Sequence, residues 1–427
     1  MVAKKSFSSL PFFLLCWALL LIRLPPLYIF LINSAFLSSY SIARYVLLGL
    51  FLNMIYVFFK EKKVLTINRA HIFFIAVYFL SQSISIINAL NVAEFMSRYM
   101  TVVFGIISFV LVYVEVNTKE RLRVILDVLL ISIIGNITFQ AIIYFQIPVL
   151  YSFYKSIANE KYLLDIEINM QRMKYFVDVY DAALIPIIFY ILVKTNKNFV
   201  KMVLLCISFV VTIFTVVSNF RSQFVVLLVS TISAIMVLTR HFTRLIGILF
   251  LVIILFFAIQ IVSTQSKINS IDRLVSPGIG DITTLTDRLY YWNTAIYIGS
   301  SYPLFGIGLG NFYDYIPKNI YPIIDKRNNP FKATWVHPHN VFIGHFVESG
   351  AFGLISFCVL LIFFIQKDFR ILHTNSHVMQ IVVASFWSLF LFSLINPAVT
   401  LNYTILFWTL RAIIANSDKY LLYSIDK

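Results

Sequence analysis

The chain has 427 residues, of which 60% are hydrophobic and 12% charged, with a mean hydropathy of +0.87, whereas soluble domains are about half apolar and a quarter charged. Those values exclude water as the main solvent. The formal charge of +15 is spread over many short segments, which excludes the concentrated basic face of a nucleic-acid-binding domain.

The apolar residues fall in blocks of roughly 16 to 24, near the 20 or so that a helix needs to cross the hydrocarbon core. A transmembrane barrel would instead alternate apolar and polar residues over about 10 positions. Cys16, Cys206 and Cys358 all sit inside apolar blocks, so they read as small buried residues rather than a disulfide framework.

Lys4 and Lys5 precede an apolar run from Leu10 and so imitate a secretory signal. Arg23-Leu-Pro-Pro26 follows in place of a small-residue cleavage site and the apolar character resumes to Ile32, so an uncleaved first span is expected over 10–32. Further spans are predicted at 41–59, 70–90, 99–114, 124–146, 175–193, 202–218, 222–239, 245–262, 341–365, 378–395 and 399–414. The fold class expected is an all-α integral membrane protein of about 12 transmembrane helices, forming a single polytopic domain over 1–427. Ser218-Asn-Phe-Arg221 and Asn396-Pro397 are the only breaks between spans seven and eight and between the last two, which predicts tight helical hairpins.

Lysine and arginine in short loops are retained on the cytoplasmic side. Every second loop is basic: Lys60, Lys62, Lys63 and Arg69; Lys119, Arg121 and Arg123; Lys194, Lys197 and Lys201; Arg240 and Arg244; Lys367 and Arg370. The alternate short loops hold isolated charges such as Arg44, Arg98 and Arg221, apart from a moderately charged stretch at 151–174. Both termini are therefore expected in the cytoplasm, and 263–340, between spans nine and ten, becomes one large extracytoplasmic loop. Turn signals at Ser276-Pro-Gly-Ile-Gly280 and Asn328-Asn-Pro330 and a helical piece over 287–298 give that loop short helices. Its rings, among them Tyr291, Trp292, Phe312, Tyr315 and Trp335, suit the membrane interface.

Ionisable groups inside spans are functional candidates by default. Asp178, Asp181, Arg221, His345 and Glu348 all fall on the predicted outer side, as an outward-facing active site requires; a transport path would show polar groups at several depths. His345 and Glu348, three apart, share a helix face. Arg221 reads either as an arginine snorkelling to headgroups or as an anion clamp, since guanidinium matches phosphate oxygens bidentately. Pro303-Leu-Phe-Gly-Ile-Gly-Leu-Gly310 lacks the spacing of a nucleotide fingerprint, so its glycines read as turn formers. His337-Pro-His339-Asn340 offers too few ligands for a metal site, and the favoured reading is a general base, because imidazole titrates ordinarily near 6.5; Glu348 is the rival base, or the group that orients the histidine.

In order, Ser218-Asn-Phe-Arg221, then Arg288 with Trp292 and Pro303-Leu-Phe-Gly-Ile-Gly308, then His337-Pro-His339-Asn340 with Glu348-Ser-Gly350, resemble the O-antigen ligase and polymerase family, membrane glycosyltransferases of the bacterial envelope. The likeness covers 200–365 and includes the spacing of His339, Asn340, Gly350 and Gly353; Val225 stands where family ligases often have leucine. It implies a GT-C-like fold in the bacterial inner membrane with the active site facing the periplasm, and an undecaprenyl-diphosphate-linked oligosaccharide as donor. Arg221 and Arg288 would hold the diphosphate, and His339, or His337, would assist the acceptor hydroxyl. No metal or cofactor is expected, and transfer would invert the anomeric centre. The first reading is a ligase that moves the glycan en bloc to a lipid A-core hydroxyl. The alternative is a polymerase whose acceptor is a second lipid-linked repeat, and which would call for a chain-length regulator. A flippase of the same lipid-linked sugars is the non-enzymatic competitor. Membrane lipids are implied as surroundings in every case, and nucleic acid in none.

Overall fold

The computed structural model describes residues 10–23, 28–32, 35–61, 68–144, 147–148, 152, 179–217, 221–239, 279–316, 337–374, 376–394, 396 and 400–422. In chain order its elements are α1 (Leu10–Arg23), β1 (Tyr28–Ile32), β2 (Ala35–Ser38), α2 (Ser39–Glu61), α3 (Arg69–Ile84), a 3₁₀ turn (Ser85–Asn88), α4 (Val92–Glu115), α5 (Lys119–Tyr144), α6 (Val179–Ala183), α7 (Ile185–Lys194), α8 (Asn198–Val217), α9 (Arg221–Thr239), α10 (Ile279–Ser301), α11 (Phe312–Tyr315), α12 (Val341–Leu372), α13 (His377–Ser393), α14 (Leu401–Ala415) and α15 (Ser417–Leu422). The predicted ninth span at 245–262, the Ser218-Asn-Phe220 turn, Asp178, the stretch 153–174 and Asn328, Pro330 and Trp335 of the large loop lie outside the described residues.

Polar side chains start the helices where the apolar runs begin. Asn68, Asn91, Asn340 and Thr400 each accept a hydrogen bond from a first-turn backbone N–H, of α3, α4, α12 and α14 respectively, and so satisfy donors that have no partner within the helix. Ser41–Glu61, Arg69–Asn88, Val92–Glu115 and Val341–Leu372 are long and apolar enough to cross a membrane, and six shorter apolar helices accompany them among the described residues. Large apolar side chains such as Leu52, Phe73, Phe209 and Ile355 face outward, which lipid tolerates as a protein core would. The chain is a multi-pass, helical membrane protein.

The first predicted span divides. Its helix ends at Arg23, and 28–38 instead form an antiparallel hairpin with Ile32 opposite Ala35 and Tyr28 opposite Ser38. Pro25 and Pro26 cannot supply helical N–H donors, and a short apolar run after them suits a strand as well as a helix. The helical piece of the large loop is longer than its sequence suggests, because Ile279 and Gly280 belong to α10.

α1 packs on α2 and α5, α14 on α4, α3 on α12, α13 on α9, and α10 on α12. Two buried ion pairs join these layers. Arg23 at the end of α1 donates to Asp181 Oδ1 at 2.5 Å, and Asn136 Nδ2 of α5 donates to Asp181 Oδ2 at 2.7 Å, so Asp181 serves as a structural joint between helices. Arg411 of α14 donates to both carboxylate oxygens of Asp368 at 2.8 and 2.7 Å, Trp387 Nε1 donates to the same carboxylate at 2.8 Å, and the guanidinium lies 3.9 Å from the Phe364 ring centroid. Asp368 is 18 positions beyond Gly350 on α12, about 27 Å at 1.5 Å per residue. The expectation that ionisable groups of the spans gather at one end alone therefore fails at Arg411.

Candidate active site

Asn340 begins the site. Its extended backbone (φ −151°, ψ 127°) lets Oδ1 accept from Phe342 N at 2.9 Å and Ile343 N at 3.1 Å, while Nδ2 donates to Leu394 O at 3.1 Å. One side chain thus caps α12 and ties it to the end of α13. His339, immediately before it, has φ 54°, a left-handed conformation unusual for a residue with a Cβ and concentrated at functional sites.

Two turns into α12, Glu348 brings its Oε1 to 3.8 Å from His337 Nδ1. Both residues are buried, and neither atom has a hydrogen-bond partner among the described residues. At that separation no hydrogen bond closes between the two atoms. His345 lies on the same stretch of helix, its ring 4.2 Å from Phe357 and 5.7 Å from Tyr78.

The helix breaks at Gly350 (φ 68°, ψ −168°), and the glycine-rich loop fills the break. Ile307 N donates to Val347 O at 3.0 Å, Gly308 N to Glu348 O at 2.9 Å, Ala351 N to Pro303 O at 2.7 Å and Phe352 N to Leu304 O at 3.2 Å. These bonds satisfy backbone groups that a continuous helix would have paired internally. A Cβ on Gly350 would stand 2.3 Å from Leu304 O, and one on Gly306 2.5 Å from Glu348 C, so the two backbones meet where only glycine permits it. Gly350→Ala is expected to cost about 1–3 kcal/mol in backbone strain alone, to lower the thermal midpoint of the purified protein, and to release Glu348 from its register with His337.

The loop is held from its other side by the end of α3. Asn88 Nδ2 donates to Gly306 O at 2.8 Å; Asn311 accepts from Asn91 N at 2.6 Å and donates to Asn91 O at 3.2 Å, replacing a strand partner. Tyr315 donates its hydroxyl to Asn88 O, and burial, reinforced by Tyr302, pushes that phenol up to about 12, so it stays a donor. Behind the break, Ser349 donates to Gln82 Oε1 at 3.0 Å.

A cavity of about 130 Å³ opens among these elements. His337, His339, Asn340, His345 and Glu348 line it together with Arg98 of α4 and with Leu360, Phe407 and Trp408. The predicted residues His337, His339 and Glu348 are thus brought together. Arg288 is half-buried on α10 and is not among the described residues that line the cavity; Arg221 opens α9, and its side chain lies outside the described residues. Sequence reasoning missed Gln82, Tyr403 and Arg98 as parts of one wall, although Arg98 stood out as an isolated charge between basic loops. Among the described residues no three His, Cys, Asp or Glu side chains converge as metal ligands would.

Among the described residues, the longest helix of this apolar bundle carries a histidine-lined cavity at its broken start. Residues 203–358, from α8 into α12, match the sequence profile of the O-antigen ligase family. The match includes Arg221, Arg288, the histidines and Glu348, while Arg98, Gln82 and Tyr403 complete the cavity from outside it. No curated protein matches the chain.

Proposed function

We propose that the protein is an O-antigen ligase-type glycosyltransferase of the bacterial inner membrane, with about twelve spans, both termini in the cytoplasm and the cavity open to the periplasm. The observation that carries this reading is the meeting of His337, His339 and Glu348 in one cavity wall, within a stretch that matches the profile of a ligase family. The alternation of basic loops supports the orientation.

In the reaction an acceptor hydroxyl attacks the anomeric carbon of a glycan carried on undecaprenyl diphosphate. The anomeric C–O bond breaks with its electron pair moving to the diphosphate, and the hydroxyl proton passes to an imidazole. Because Glu348 faces Nδ1 of His337, His337 is favoured as the base, with Nε2 turned to the proton and Glu348 stabilising the imidazolium; His339 beside it positions the acceptor. Arg288 and Arg221 stabilise the growing diphosphate charge, the electrostatic contribution that is usually largest. A single displacement of this kind inverts the anomeric centre without a metal.

Purified protein supplied with lipid-linked repeat units should transfer them only when lipid A-core acceptor is present, giving a product of inverted configuration by NMR. Growth of the glycan on its lipid carrier with no core present would assign the chain to the polymerases instead. Transport of the lipid-linked sugar with no transfer to either acceptor would make it a flippase.

A further inference from the structure

We infer that Arg98 is a phosphate-holding residue of this site, aimed at the diphosphate of the polyprenyl-linked donor, and that Glu94 is its positioning residue. The inference rests on the transferase reading above and adds to it a cation from α4, outside the family-matched stretch. Among the described residues lining the cavity, Arg98 is the one with a permanent positive charge, and the bond that breaks there leaves a diphosphate.

Three features fix the side chain. Arg98 Nε donates to Glu94 Oε1 at 3.0 Å, one turn earlier on α4, which helps to set the plane of the guanidinium. The stems of both residues pack on Gly310 of the glycine-rich loop, where a Cβ would come to 2.7 Å from Arg98 Cγ and 3.0 Å from Glu94 Cγ. The Asn91–Asn311 pair holds that loop to the first turn of α4, and Asn91 also caps the helix through Glu94 N. The same loop bonds the backbone of Val347 and Glu348. One loop therefore touches the stem of Arg98 and bonds the backbone of Glu348.

The side chains of the pair are 28% and 36% exposed, and ion pairs so open to solvent contribute little to folding. A guanidinium held in plane by a weakly bound carboxylate can take a doubly charged diphosphate, which offers more oxygens than Glu94 does. An anionic phospholipid headgroup presents related chemistry, and the experiment has to separate the two.

The test is binding of undecaprenyl diphosphate, its monophosphate and neutral undecaprenol to the purified full chain in phosphatidylcholine nanodiscs, repeated with phosphatidylglycerol added. For the unchanged protein the order should be diphosphate, monophosphate, undecaprenol. Arg98→Ala should weaken diphosphate binding about tenfold or more, Arg98→Lys by a smaller factor because the fork is lost while the charge remains, and Glu94→Gln by about threefold through loss of alignment; undecaprenol binding should not change. Arg98→Gln keeps a polar stem and should match Arg98→Ala, so that a folding defect confined to the alanine variant cannot imitate the result. Equal diphosphate binding by the unchanged protein and Arg98→Gln overturns the inference and leaves the transferase reading standing. Disappearance of the difference when phosphatidylglycerol is added overturns it in favour of bulk headgroups. Absence of diphosphate binding to the unchanged protein overturns both readings together.

Discussion

Alanine at His337 is expected to lower glycan transfer by the purified protein by about 10²- to 10⁴-fold, the usual contribution of a positioned general base, with the protein still inserted and its thermal midpoint within a few degrees of the original. Glu348→Gln should lower transfer by a smaller factor, if its carboxylate acts through the imidazole 3.8 Å away. The double variant is no slower than His337→Ala alone, because groups that act as one unit are not additive. Multiplicative losses would show that the histidine and the carboxylate work independently. His339→Ala raises KM for the acceptor more than it lowers kcat; the reverse split would make His339 the base and His337 its neighbour.

The second large effect lies at the far end of α12. Asp368→Ala leaves Arg411, fully buried, with no counter-charge, and breaking such a pair costs about 3–5 kcal/mol. Thermal unfolding in detergent should report the loss. Changing both residues at once, Arg411→Met with Asp368→Leu, should recover most of it, since apolar replacements of similar volume often match a buried pair. Transfer by the protein that remains folded should be unaltered in either variant, the site being about 27 Å away along the helix. A selective loss of transfer would mean that the pair communicates with the cavity.

The apolar blocks were readable because lipid leaves backbone groups few ways to be satisfied, whereas the caps were not: the predicted fourth span begins at 99, but Asn91 caps a helix that starts at Val92. The residues of the His337-Pro-His339-Asn340 motif were legible as a group, yet their division of labour was not. Asn340 reads as a polar neighbour until its three hydrogen bonds are seen. The glycines at 306 and 308 suggested turning, whereas their place against Val347 and Glu348 depends on a break in α12 that Gly350 announces only in three dimensions. Arg98 could not be assigned to the cavity from sequence, because it sits far from the histidines along the chain and one charge at a helix end usually reads as snorkelling. The hairpin at 28–38 was hidden for a different reason: over so few apolar residues, periodicity does not separate a strand from a continuing helix.

The joint between Arg23 and Asp181 has a bearing on how the molecule is made. Its two halves are 158 residues apart in the chain, and at translation rates of about 5–20 residues per second the ribosome needs roughly 8 to 30 s to travel between them. During that interval the first helix carries a cation destined for a dry interior whose counter-ion does not yet exist. Arg23 must wait at water or within an insertion machine, so α1 takes its final seat only after α5 and α6 have arrived.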